Sequence, residues 1–350
     1  MNRMTRRTFV GRCAALALPL AGGCAPPRDG YFRFMTSWTA EPEHGGFYQA
    51  AATGLYSAAG LEVDLRAGGA QINPLQMLLA DRVDAILGFD IQTLLGIANQ
   101  LPIVTVAACL QSDLQGVMTH PDVASLSDLK DRTILVNATG NASWWPWLRT
   151  RYGLRDDQTR PYSDNLQPFF AAPRIATGGY LTSEPFRAEM AHVPVNFFRF
   201  GDLGYPPYGA TIVTTRSVIR RRPHELRQFV RASLEGWRDY LADPSAGNAM
   251  IRRLSPQVSA AQMTYAVGRI KAAQLVDGGD AKRFGIGTMS AERWEATADM
   301  LAATGLTRGE VPWQEAFTTL FVADLRIGAA ASNKVAPRDR AALKDGGASA

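Results

Sequence analysis

The feature that most constrains this chain is a strand–helix alternation that runs through its first hundred residues and then starts again. YFRFMT, residues 31–36, alternates as a half-buried strand does, and Gly45 to Ala59 then carries helical periodicity up to Gly60. LEVDLRAGG is a second strand that turns at Gly68-Gly69, and Pro74 opens the helix LQMLLADR from its first turn. VDAILGF is an apolar strand running into Asp90, which N-caps DIQTLLGIANQ, and PIVTVAACL is a further buried strand. Strands separated by helices pair in parallel, with helices on both faces, so the fold class is α/β.

From SLSDL a second unit follows with the same grammar. TILVN is its strand, ATGNA a glycine-containing turn, and SWWPWLRTRYG a helix. VNFFRF and ATIVTTRSVI read as strands, and YLTSEPFRAEMA lies between them and FFAAPRIATGG. From Pro223 the pattern turns helical through PHELRQFVRASLEGWRDYLAD, NAMIRRL, SAAQMTYAVGRIKAAQLV, SAERWEATADMLAAT and PWQEAFTTLF. A chain of 350 residues is long enough for two cores. The expected arrangement is two doubly wound α/β lobes joined by a hinge, with a ligand cleft between them. Lobe 1 takes residues 31–120 plus 215–328, lobe 2 takes 121–214, and the apolar-poor stretch 329–350 is a flexible tail. Ligands of open parallel sheets sit at the carboxyl ends of strands, where WTAEPEH, GGAQINP, GFDIQT and NATGNAS fall.

The formal charge of +5 does not indicate a nucleic-acid partner. Arg3, Arg6, Arg7 and Arg12 lie in the first 23 residues, which hold no acid, and the remainder carries only +1. That opening stretch has a basic start, MNRMTRR, and an apolar run, CAALALPLAGG, too short to span a bilayer, so residues 1–24 read as an export signal. Thr5-Arg6-Arg7-Thr8-Phe9-Val10 resembles a twin-arginine motif, and Ala21-Gly22-Gly23-Cys24 resembles a lipoprotein cleavage box with Ala21 where Leu is usual. The expected location is the periplasm, either free or, if Cys24 carries lipid, tethered to a membrane surface. Of the three cysteines only Cys109 lies beyond the signal, in an apolar run where a buried thiol belongs. No Cys/His spacing suits a metal, and no cofactor is expected.

The segments WTAEPEHGGFYQAAATGLYSAAGLEV, RVDAILGFDIQTL, GGYLTSEPF and GYPPYGATIVTTR resemble the solute-binding proteins of ABC importers, over about residues 31–325. Within them, the sequence is similar to the branch that includes binding proteins for sulfonates, taurine and thiamine precursors and the related thiamine pyrimidine synthases. The resemblance implies the periplasmic-binding-protein type II fold, capture of a small solute by lobe closure, and ABC permease and ATPase subunits as partners. In the synthases a lysine and, four residues on, a histidine follow the third strand, and a cysteine cluster lies late in the second lobe. Here Gly88 and Gln92 occupy the first two positions, and Pro206-Pro207-Tyr208-Gly209-Ala210 the third, so Schiff-base and iron–thiolate chemistry have no groups to use.

Candidate ligand residues come from the strand exits. Trp38 offers a flat face and one N–H donor; its other role would be a core tryptophan. Glu43 and His44, with Glu41, can accept from an exocyclic amine or simply complement a helix N-terminus, while Gly45-Gly46 allows a close backbone approach. Phe89 and Gln92 follow the third strand. Asn141, with Ser143, sits in a strand-to-helix turn that can hold a carbonyl or acid or can be an ordinary cap. Tyr180 and Glu184 lie in the second lobe's counterpart of the opening segment, where relatives present a carboxylate, and Glu184 before Pro185 is not mid-helix. Tyr208, with Tyr205, closes an aromatic box or belongs to the hinge. Trp144, Trp145 and Trp147 cannot all face one way around Pro146, so at least one belongs to a core.

The carboxylate-rich, aromatic set suits a nitrogenous, pyrimidine-like solute better than a sulfonate, which would want Arg or Lys. The alternatives are a divergent thiamine pyrimidine synthase-like enzyme and an exported ligand sensor.

Overall fold

Among the described residues, ten strands form two five-stranded sheets with the same internal order. The structure, a computed structural model, describes residues 30–328; the export signal with Cys24 and the tail at 329–350 lie outside the described residues. The first sheet contains β1 (Tyr31–Met35), β2 (Glu62–Arg66), β3 (Ala85–Gly88) and β4 (Ile103–Leu110). The second contains β5 (Gln115–Thr119), β6 (Thr133–Val136), β7 (Thr159–Pro161), β8 (Ile175–Tyr180) and β9 (Asn196–Arg199), and β10 (Ala210–Thr215) returns to the first. The orders are β2-β1-β3-β10-β4 and β7-β6-β8-β5-β9.

Neither sheet is wholly parallel, which corrects the expectation for the first unit. β1 pairs in parallel with β2 and β3, but β10 runs antiparallel between β3 and β4. In the second sheet β6 pairs in parallel with β7 and β8, and β5 runs antiparallel between β8 and β9. Each sheet thus takes its antiparallel strand from the chain as it enters or leaves the other. By sheet membership the crossings are residues 111–114 and 200–209, a few residues earlier than the expected limits after 120 and at 215. The reason is local: β5 is a five-residue strand buried throughout, with no polar alternation to announce it.

The helix Pro223–Ala242 packs on the first sheet. Phe229 stacks on Phe32 with ring centroids 4.6 Å apart and lies 4.8 Å from Phe34. Its Trp237 and Tyr240 cover the helix Gly45–Ala52 at the two glycines: a Cβ on Gly46 would come within 2.2 Å of Trp237, and one on Gly45 equally close to Tyr240. The glycine pair therefore serves helix–helix packing, not a close approach to ligand. A second core surrounds Trp144, Trp145 and Trp147, all three buried, which meets the expectation that at least one belongs to a core. Trp144 lies 4.9 Å from Phe200 and fits against Gly140 and Gly178, where a Cβ would meet its ring at 2.7 and 2.5 Å. The stretch PWQEAFTTLF is not a helix: after a short turn at Trp313–Glu315 it lies beside β4, with Thr105 bridged to Phe317. Gly54, at φ +76°, splits the expected helix over 45–59 into Gly45–Ala52 and Leu55–Ala58.

Candidate functional site, a cavity between the two sheets

A cavity of about 470 Å³ opens where strand exits of both sheets and both crossings meet. From the first sheet it is lined by Ser37 after β1, Leu87, Phe89, Asp90 and Gln92 at the end of β3 and the start of the following helix, and Pro74 and Leu75 at the start of the helix between β2 and β3. From the second it takes Thr139, Ala142 and Ser143 after β6. The crossings contribute Asp113 and, beside it in β5, Gln115, then Tyr205, Pro207 and Tyr208. Among the described residues the lining holds no lysine or arginine, so none of them turns a fixed positive charge to the space.

Two buried carboxyl groups belong to this wall. Asp90 does not cap its helix; Phe89 holds that position and Asp90 is the first helical residue. Its Oδ1 accepts from Ile91 N at 2.8 Å and its Oδ2 from Tyr208 N at 2.8 Å, so the residue pins the second crossing to the first sheet. Asp113 accepts from the Gln115 backbone N at 2.7 Å and from its Nε2 at 3.2 Å. Burial pushes both carboxyl groups up, Asp90 to about 6 and Asp113 to about 7, against the pull of those donors.

A second cluster lies along the seam between the lobes. The loop after β1 brings Glu41, Glu43 and His44; the end of β8 and the following helix Glu184–Met190 bring Tyr180, Thr182 and Glu184. Thr182 donates its hydroxyl to Glu43 Oε1, a direct bond between the lobes. Glu184, at the first position of its helix, accepts from Tyr162 Oη at 3.0 Å and from Tyr180 N at 2.6 Å. Gly179 leaves room for that carboxyl group, since a Cβ there would meet it at about 2.7 Å. Burial raises Glu43 and Glu184, and burial together with the charges of Glu43 and Glu184 pushes Glu41 up to about 8. His44 is buried 3.4 Å from Ser37 Oγ, and burial pushes it down to about 4, leaving the ring neutral near pH 7.

The sequence candidates therefore divide. Phe89, Gln92 and Tyr208 line the cavity. Glu43, His44, Tyr180 and Glu184 lie in or beside the seam cluster. Trp38 is 46% exposed, next to cavity-lining Ser37, and its carbonyl accepts from Thr36 Oγ1 and Gly68 N. Asn141 is exposed and does not line the cavity; its neighbours Thr139, Ala142 and Ser143 do, and the N-cap of that turn is Asn137, whose Oδ1 accepts from Gly140 N at 2.6 Å. Asp113, Tyr162 and Thr182 escaped the sequence reading. The only signal for Asp113 was the polar break SDLQ between two buried runs.

Comparison with known proteins agrees with this architecture. The family described as NMT1/THI5 like matches residues 41–247. The riboflavin-binding protein RibY of Chloroflexus aurantiacus is 25% identical over 293 residues, covering 79% of this chain and 81% of that one. The formylaminopyrimidine-binding protein of Halalkalibacterium halodurans is 24% identical over 221 residues, 60% of this chain and 66% of that one. Among solved structures, the periplasmic aliphatic sulphonate binding protein SsuA of Escherichia coli superposes with a TM-score of 0.62 at 12% identity, over 90% of this chain and 98% of that one. The desulfurization enzyme DSZB does so with a TM-score of 0.56 at 16% identity, over 83% and 97%. At such identities the structural likenesses show the fold, which is the two-lobed fold of periplasmic binding proteins. With its matched region spanning more than half its length, the chain belongs to the NMT1/THI5-like family.

Proposed function

We propose that this chain is an exported solute-binding protein of an ABC importer that captures a small, flat, nitrogenous compound carrying a pyrimidine-type ring. The observation that carries the reading is the cavity itself. It lies between two sheets of matching order, takes residues from both, and has aromatic and aliphatic walls with buried carboxyl groups and no cation. Such a wall suits a neutral ring with hydrogen-bond donors and rejects a sulfonate, which would bury its charge unpaired. RibY and the formylaminopyrimidine-binding protein, by their names, bind compounds that contain a pyrimidine ring, fused in one case and free in the other. Phe89 and Tyr208 supply ring faces, Gln92 an amide, and Asp113 a carboxyl group that titrates near neutrality. Trp38 adds a face at the seam, and Glu184 and Glu43 order the opposing edges. The bound state is the closed one, stabilised because only there does the solute touch both lobes.

The same fold carries an enzyme, DSZB, so binding without turnover rests on the site. Gly88 and Gln92 stand where the resembling synthases have their lysine and histidine, and Cys109 is buried. Export into the periplasm follows from the signal-like first 24 residues and is in keeping with the periplasmic SsuA likeness.

Thermal shift and calorimetry with riboflavin, a formylaminopyrimidine and an alkanesulfonate test this reading. A pyrimidine-type compound raises the unfolding temperature, is recovered unchanged by mass spectrometry, and binds more weakly to Trp38→Ala and Phe89→Ala. Stabilisation by the sulfonate alone, or conversion of a bound compound, overturns it.

A further inference from the structure

We propose that Arg293 is a clamp on both interlobe crossings, a positioning residue that sets the angle between the lobes and through it the affinity for solute. Arg293 stands in the first turn of the helix Ala291–Ala303 and touches neither solute face of the cavity. Its Nη1 donates to Gln111 O at 2.5 Å, at the start of the first crossing. Its Nε and Nη2 donate to Pro206 O at 3.0 and 2.7 Å, and Nη2 also reaches Pro207 O at 3.0 Å, in the second crossing. One planar group thus satisfies carbonyls of both connections, which lie outside either sheet's ladder.

The same guanidinium lies 4.1 Å over the ring of Tyr208, whose other surroundings lead to the cavity. Tyr208 lines the cavity, its backbone N–H is held by Asp90, and its hydroxyl accepts from Ser290 N at 3.0 Å. The crossings also pack on each other: a Cβ on Gly209 would meet Ser112 O at 2.4 Å, while Gly209 N donates to Leu110 O at the end of β4 at 3.0 Å. Rotation of one lobe against the other has to change the backbone of 111–114 and 200–209. A rigid fork reaches Gln111, Pro206 and Pro207 together only while those segments keep one spacing. A lysine, with one donor centre and no plane, cannot replace it.

The effect on affinity rests on the solute-binding reading, but the clamp itself is tested without any ligand. In the wild-type chain, hydrogen exchange at 112–114 and 200–205 is as slow as in β4; exchange as fast as in exposed loops overturns the proposal. Arg293→Lys and Arg293→Gln, folded by far-UV circular dichroism, exchange faster at both crossings together and show a larger radius of gyration in solution scattering. A folded variant with both quantities unchanged overturns the clamp. Where riboflavin binds the wild type, Arg293→Lys binds it about tenfold more weakly. Failure of riboflavin and the pyrimidine to bind at all would count against the proposed solute and leave the scattering and exchange results to decide the clamp.

Discussion

Thr182 of the second lobe donates its hydroxyl to the Glu43 carboxyl group of the first, so the two halves are joined by a hydrogen bond across the seam. Thr182 is buried, and the other Glu43 oxygen, Oε2, is buried with no partner. Removing the hydroxyl leaves a buried carboxyl group with no donor from the opposite lobe. Thr182→Val is therefore expected to cost about 1–3 kcal/mol of stability, measured by denaturant unfolding, whereas Thr182→Ser retains the bond and most of the stability. An equal loss in both variants would mean that the methyl group, and not the hydroxyl, holds the seam.

The carboxyl groups held up by burial give a pH dependence whose sign can be worked out. Glu41 rises from an ordinary value of 4.5 to about 8, and Asp113 from 3.8 to about 7. Each binds its proton more tightly folded than unfolded, so its contribution is complete below the unfolded value and is lost as pH rises through the folded one. Buried His44 acts oppositely: held down to about 4 from 6.5, it loses stability as pH falls. The clean window lies above about pH 7.5, a unit above the ordinary histidine value of 6.5, where His44 is neutral in both states. There the unfolding free energy falls with rising pH, by up to about 1.4 kcal/mol per unit for each group still titrating, and the unfolding temperature falls with it. Glu41→Gln flattens the upper part of that fall; a flat profile for the wild type contradicts the assignment.

Gly46 tests whether the glycine pair serves packing. Its missing Cβ is replaced by the ring of Trp237, and Gly236 of the same helix lies against Gly46 O, which a Cβ on Gly236 would approach to 2.3 Å. Gly46→Ala is expected to lower stability by about 1–3 kcal/mol through overpacking, and Trp237→Leu to relieve part of it in the double variant. Solute affinity measured by calorimetry stays within experimental error, because this contact faces the helix Pro223–Ala242 and not the cavity. A large change in affinity with little change in stability would return the glycines to the ligand.

What could be read from the sequence was what local chemistry writes. Pro74 at a helix start and the helical run Pro223–Ala242 are specified within a few residues of themselves. The exchanged strands were not legible in the same way. The antiparallel partners of β10 are β3 and β4, more than 100 residues earlier in the chain, and β5 carries no polar alternation. The site shows the same division. Residues at strand exits such as Phe89 and Gln92 could be nominated from topology alone, since that is where open sheets bind. Asp113, Tyr162 and Arg293 gain their places only through tertiary contacts, the last from a helix position 86 residues beyond Pro207.

Gly88 bears on chemistry as well as packing. It ends β3 beside the cavity, and a Cβ there would sit 2.7 Å from Gln92 Oε1 and 2.9 Å from Val213 Cγ2. The Gln92 side chain is folded over the space that a Cβ at 88 would need, so a larger residue there has to displace Gln92 Oε1 and crowds Val213. Gly88→Ala is expected to destabilise by about 1–3 kcal/mol, since both neighbours have to move, and Val213→Ala to recover part of that loss. Gly88→Lys combined with Gln92→His restores the two residue types of the resembling synthases. It is expected to unfold at a lower temperature than Gly88→Ala and to form no covalent adduct with an aldehyde trapped by borohydride. An adduct located at position 88 by peptide mapping would show that the pocket can still admit a reactive amine, and would weaken the case for pure binding.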